Sequence, residues 1–219
     1  MTFKAPDSLA EQIAQHLSER IIRGELQAGE RIQEQKVTQL LNVSRGSVRE
    51  ALLILERRHL IVIQPRRGAQ VSELTAHNVK SLYALVVELY GLLACTVARG
   101  WRQQAELEPF VDIQKRLISN FEQGDISAFV DNSFEIMRAA YGFSNNPYLQ
   151  QSVENLLPAI SRTYYLAFER RRSEMGQFIN TFTRLLQAII ERDENQAREV
   201  LKGYCAHNSK LVLAALAER

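Results

Sequence analysis

Val43-Ser44-Arg45-Gly46-Ser47-Val48-Arg49-Glu50-Ala51-Leu52 is the stretch from which the rest of the chain can be read. Asn42 and Val43 make a turn, and Ser44 is a good N-cap because its short hydroxyl can accept from the first free amides of a helix. Val48, Ala51, Leu52 and Leu55 then fall at i, i+3, i+4 and i+7, which predicts a helix from Arg45 with one apolar side. Arg45, Ser47 and Arg49 are left on the remaining surface of its first turns, and the two arginines, four apart, point the same way. A guanidinium can donate twice to O6 and N7 of guanine, and the positive end of a helix favours a nearby phosphate. Such a helix suits end-on insertion into the major groove. An ordinary surface helix with the same residues would instead pair Arg49 with Glu50 or Glu56.

Working backwards, Ser8-Leu9-Ala10-Glu11 has the spacing of a capping box, and Leu9, Ile13, Leu17 and Ile21 recur every four residues, so a helix is expected over Ser8–Gly24. After the turn Gln27-Ala28-Gly29-Glu30 comes a second, short helix over Gln33–Leu41, expected to turn Val37, Leu40 and Leu41 inward. Two short helices with a tight turn between them form a helix-turn-helix. Working forwards, Leu60-Ile61-Val62-Ile63-Gln64 is rich in β-branched residues, Pro65-Arg66-Arg67-Gly68 reads as a turn, and Ala69-Gln70-Val71 as a returning strand. A basic hairpin directly after a basic helix is the plan of a winged helix-turn-helix. Its wing tip lies along the backbone or enters the minor groove, where arginine is favoured by the negative potential. Ser44, Arg45, Ser47, Arg49, Arg66, Arg67 and Gly68 are therefore the candidate DNA contacts, with double-stranded DNA as the partner.

The charge balance agrees once it is divided by position. The 219 residues carry a net charge of only +2. Residues 1–75 hold 11 basic against 9 acidic groups, whereas 76–219 hold 16 of each, so the whole excess lies with the helix-turn-helix. Within it, residues 36–75 carry seven basic groups and three acids. Phosphate contact requires such a local excess, because each neutralised phosphate releases counterions. A solvated basic face would carry the same charges.

The remaining composition, 46% apolar and 24% charged, excludes a disordered or fibrous chain, and 5 prolines with 10 glycines argue against an all-β sandwich or barrel. No run approaches the roughly 18 consecutive apolar residues of a membrane span, and the segment with Lys4 and Asp7 has no signal-peptide core, so a cytoplasmic protein is expected, with no membrane partner. Cys95 and Cys205 fit no Cys-x-x-Cys spacing and read as reduced, buried thiols. Residues 76–219 read as successive amphipathic helices, with breaks near Gly100 to Ala105, Gly124-Asp125, Gly142 to Asn146, Arg172 to Gly176 and Asp193-Glu194. There is no Gly-rich phosphate loop and no Gly-x-Ser-x-Gly elbow. The expected fold is mainly α: a winged helix-turn-helix over 1–75, then an all-helical bundle of six or seven helices over 76–219 that senses and dimerises.

Gly24-Glu25-Leu26-Gln27-Ala28-Gly29-Glu30-Arg31-Ile32, the 43–52 stretch quoted above and Pro65-Arg66-Arg67-Gly68-Ala69-Gln70-Val71 together resemble the N-terminal domain of the GntR family of bacterial transcription regulators. The resemblance covers nearly all of residues 8–72. It implies a homodimer on a short palindromic operator, with Arg45, Ser47 and Arg49 toward the major groove and the wing toward the minor groove. Gln35 departs from the basic residue common there in FadR-like members. The second part resembles the FCD effector domain of the FadR subgroup through Asp131-Asn132-Ser133-Phe134-Glu135, Ser144-Asn145-Asn146-Pro147-Tyr148-Leu149 and Leu185-Leu186-Gln187-Ala188-Ile189-Ile190-Glu191-Arg192-Asp193 through Ala197.

Many FCD domains hold a divalent metal with one aspartate and three histidines. The resemblance places these at Asp131, Glu135, Phe182 and Tyr204. Phe cannot coordinate a metal and neutral Tyr is a poor ligand, so neither a metal nor any other cofactor is expected. The alternative is a residual site of Asp131, Glu135 and His207; otherwise Asp131 and Glu135 pair with Arg138 or solvent. The arginine of carboxylate-sensing members, four before Glu88, is Ala84. What remains is aromatic: Phe134, Tyr164, Tyr165, Phe168, Phe182 and Tyr204, with Arg162 as an anchor for an anionic group. With Asp131 and Glu135 these supply the candidate effector site, and its lining suits an apolar or acyl-type ligand, as in the acyl-CoA-responsive FadR branch. Aromatic residues at this spacing also make plain core. The function expected is a transcription regulator of repressor type, under small-molecule control. A dimer whose helical domain binds no ligand is the alternative. An enzyme is not expected, since two carboxylates at i, i+4 come with no nucleophile.

Overall fold

The computed structural model describes residues 8–170 and 172–218; Lys4 and Asp7 lie outside them. Its contacts resolve into two units, Met1–Leu74 with Asn155–Arg162, and Thr75–Glu154 with Thr163–Arg219.

In the first unit, α1 (Leu9–Ile22) begins where the Ser8 hydroxyl accepts from the Glu11 amide at 3.2 Å, and it buries Ile13, Leu17 and Ile21. Gly24, at φ +73°, follows it in the left-handed conformation that glycine adopts without a Cβ clash. The second helix, α2 (Glu34–Leu41), stops on Asn42 at φ 52°, and α3 (Arg45–Arg57) starts behind the Ser44 cap. Of the three α2 residues expected inside, Val37 is buried and Leu41 partly so, but Leu40 is 67% exposed. With 3.6 residues per turn, Leu40 lies roughly 60° to one side of Val37 and Leu41 roughly 40° to the other, and the core lies on the Leu41 side. The expected stripe Val48, Ala51, Leu52 and Leu55 is buried along α3.

The hairpin pairs β2 (Ile61–Gln64) with β3 (Gly68–Val71) in antiparallel register, Ile61 opposite Val71 and Gln64 opposite Gly68. A further strand, β1 (Arg31–Ile32), pairs with β3 on its other side, giving the order β1-β3-β2. Two residues are too few to show the period-2 alternation by which a strand is read. Ile32, Ala69 and Val71 bring the inner face of the sheet onto Leu17, Ile21, Leu55 and Leu60 in one apolar core.

The second unit is helical among its described residues: α4 (Ala76–Gly100), a 3₁₀ turn (Gln104–Leu107), α5 (Glu108–Gln123), α6 (Ile126–Ser144), α7 (Pro147–Arg170, shared with the first unit), α8 (Ser173–Ile190) and α9 (Glu194–Ala217). Thr75, Asp125 and Asp193 cap α4, α6 and α9 with their side chains. Expected breaks recur at Gly124, at φ +73°, and at Asn145, at φ 41°. Within the stretches expected to break, Gly142 still belongs to α6, which ends at Ser144, and Gly176 to α8, which starts at Ser173 and where Gly176 packs near Phe121. By length and composition α4 could cross a membrane, yet half of its apolar window is buried in this unit. Its C-terminal carbonyls are held by Arg192, which donates to Ala98 O at 3.1 Å and Trp101 O at 2.7 Å and lies 4.2 Å over the Trp101 ring. Cys95 and Cys205 are free and buried, and burial pushes the Cys205 thiol up to about 12.

Candidate DNA interface and effector cavity

The N-terminus of α3 is fixed by two serines. The Ser44 hydroxyl accepts from the Ser47 amide at 3.1 Å and lies 2.9 Å from the Ser47 hydroxyl. Arg45 and Arg49 are exposed on the first turns. Neither Glu50 nor Glu56 takes Arg49. Its Nε donates to Oε2 of Glu34, on the first turn of α2, at 2.9 Å, while Glu56 accepts from the Ile63 amide. Because Glu34 is fifteen residues away on another helix, no local spacing could have pointed to it. An acid gripping Nε leaves the two Nη groups for an outside acceptor, the end that forks onto a planar partner.

At the wing, the Arg67 amide bonds to Gln64 O at 3.1 Å, closing a four-residue turn with Pro65 second and Arg66 third. Arg66 has φ 64°. In a turn of this kind the third position requires positive φ and favours glycine, and a side chain there costs roughly 1–2 kcal/mol. Packing does not explain an arginine there, since Arg66 is exposed. Gly68, at φ +80°, lies beside Arg31, whose guanidinium is 3.6 Å from where a Cβ would be. Arg31 thus joins Arg66 and Arg67 at the wing, a neighbour visible only once β1 is paired.

The helical unit contains a cavity whose wall includes Tyr90 of α4, Phe134 and Met137 of α6, Tyr164 of α7, Phe182 of α8 and Tyr204 of α9. Every lining side chain is uncharged, and the free volume is about 30 Å³, space for a water or two. Phe134 stacks on Tyr164 at 5.6 Å, and Phe178 meets Tyr204 edge-on at 5.5 Å. Burial holds the Tyr90, Tyr164 and Tyr204 hydroxyls well above the ordinary range, so they stay neutral. The Tyr90 hydroxyl has no hydrogen-bond partner among the described residues. Leaving such a group unmatched costs about 1–3 kcal/mol.

Of the expected effector residues, Phe134, Phe182 and Tyr204 come together here, with Tyr164. The others do not line it. Asp131 is exposed and Tyr165 half-buried; Glu135 accepts from Arg138 at 2.6 Å. Buried Arg162 donates Nη1 to the Ser72 carbonyl at 2.6 Å, within the first unit.

The family model for bacterial regulatory proteins of the gntR family matches residues 9–71, and that for the FCD domain matches 82–207. The chain belongs to the GntR family. Relatives of this regulator include the HTH-type transcriptional regulator McbR of Escherichia coli strain K12, 24% identical over 89% of this chain and 88% of that one. The gluconate operon transcriptional repressor of Bacillus subtilis strain 168 is 29% identical over 83% of this chain and 76% of that one. The solved structure of E. coli McbR/YncC shares the fold, with a TM-score of 0.79 at 22% identity over 95% of this chain and 99% of that one.

The divalent metal that this domain type implies does not fit the residues present. On α6 the i, i+4 pair facing the cavity is Ser133 and Met137, not Asp131 and Glu135. Phe182 and Tyr204 face it from α8 and α9. His207 Nε2 is taken by Glu174 at 2.7 Å. Among the described residues no three His, Cys, Asp or Glu side chains gather to hold an ion.

Proposed function

We propose that this GntR-family regulator is a cytoplasmic homodimeric repressor that binds a palindromic operator and is released or rearranged by a small-molecule effector. The observation that carries the reading is the joint exposure of Arg45 and Arg49 on α3 with Arg66 and Arg67 on the wing, in the part of the chain holding all of its excess positive charge. Helix and wing address adjacent grooves of a duplex in proteins of this plan. A dimer is supported by α4, where exposed Leu85 and Leu92 alternate with half-buried Leu82, Leu89 and Thr96 at three- and four-residue steps, the spacing of a coiled-coil seam. Repression is supported by the gluconate operon relative, itself a repressor. Effector binding would shift the population of dimers whose two heads meet both half-sites.

The small free volume of the cavity favours a second reading, in which the helical unit dimerises and binds nothing. A thermal-shift screen over metabolites and acyl-CoAs separates the two, since a ligand of the folded state raises the melting temperature. The DNA-binding core of the proposal is tested by selecting duplexes from a randomised library with the full-length protein. An inverted repeat should be enriched; a pool without enrichment, or a lone unrepeated half-site, contradicts it.

A further inference from the structure

The cavity of the helical unit has a chemistry unlike that of a metal or carboxylate site. A carboxylate buried without a cation meets a prohibitive desolvation cost, and no lining residue is charged. The lining hydroxyls of Ser133 and Thr181 are committed to backbone carbonyls, Val130 O at 2.6 Å and Gln177 O at 2.9 Å. Two lining hydroxyls, those of half-buried Tyr204 and of Tyr90, have no hydrogen-bond partner among the described residues; the deeper is that of Tyr90, 95% of which is buried. A purely apolar ligand would leave it unmatched, whereas one polar atom on the ligand would satisfy it. At the rim, half-buried Met137 has an unbranched side chain able to swing and enlarge the space.

We propose that this cavity receives a small uncharged effector, an apolar ring or short chain bearing one hydroxyl or carbonyl oxygen that bonds to the Tyr90 hydroxyl, and that it takes neither a metal ion nor a carboxylate. The proposal rests on the reading of the helical unit as an effector domain, and names the ligand class for it. Three probes built on one phenyl ring separate the possibilities on the full-length protein by calorimetric titration and thermal unfolding: benzyl alcohol, toluene and benzoate. Benzyl alcohol should bind about tenfold more tightly than toluene, the effect of one hydrogen bond to a buried group, and benzoate should not bind measurably. In Tyr90→Phe the preference for benzyl alcohol over toluene should vanish without a lower melting temperature, because an unmatched hydroxyl has been removed. Equal or better binding of benzoate, a preference that survives Tyr90→Phe, or a raised melting temperature with zinc alone overturns the proposed ligand class while leaving an effector site. Failure of all three probes, with operator binding intact, overturns the effector site itself.

Discussion

Arg49 is gripped through Nε by an acid from the neighbouring helix, at 2.9 Å and with 67% of its side chain exposed. An exposed ion pair of this kind adds little to stability; in the proposed function its effect is to hold a long side chain in one orientation before DNA arrives. Glu34 is therefore a positioning residue. In Glu34→Gln the affinity for a selected operator should fall by about tenfold, the scale of one well-oriented base contact. Affinity for a random-sequence duplex should hold or rise, because a negative charge near phosphate has gone. The ratio of the two affinities, measured by fluorescence anisotropy, is the readout; a proportional change in both would mean that Glu34 merely supports the fold. The arginines themselves were legible in the sequence from the apolar stripe they avoid. Glu34 was not, because the pairing depends on how α2 lies against α3.

At the scale of elements, α6 shows how far a sequence pattern carries. Counting from Asp131 to Glu135 picks one face of the helix, and the cavity is met by Ser133 and Met137 instead. A slip of two residues turns a helix by about 200°, onto its opposite side, so the identity of the inward pair depends on the register alone. The helix runs on through Gly142 and ends at Ser144 with Asn145 as its C-cap, late in the Gly142 to Asn146 stretch where a break is expected. Caps and strong stripes were readable: Ser8, Ser44 and the core face of α3 lie where their chemistry demands. Short elements and helix phase were not, since neither β1 nor the facing of α6 is encoded within a few residues. α4 carries its own prediction. With Leu85 49% and Leu92 37% exposed, Leu85→Glu combined with Leu92→Glu removes two seam positions without touching the core. Light scattering on the eluted protein should then report a monomer with unchanged helical circular dichroism; a retained dimer would place the interface elsewhere.

For the whole molecule, the net positive charge lies within residues 1–75, while residues 76–219 hold 16 basic and 16 acidic groups; the compact units divide differently, since Asn155–Arg162 goes with the N-terminal one. The division of charge was legible because it rests on composition over many residues; the assignment of Asn155–Arg162 depends on packing. The cavity of the helical unit was only half legible, since its aromatic character is in the sequence but the 30 Å³ of free space and the unmatched Tyr90 hydroxyl exist only after packing. In the proposed function, α3 reads operator DNA as one half of a dimer. This role is tested most directly by titrating the selected inverted repeat with the wild-type protein and with Arg49→Ala, the oligomeric state of each being followed by light scattering. Each dimer would lose two contacts worth roughly 1–3 kcal/mol apiece, so the variant should remain dimeric and bind at least about thirtyfold more weakly. Undiminished affinity in an intact Arg49→Ala dimer would contradict it.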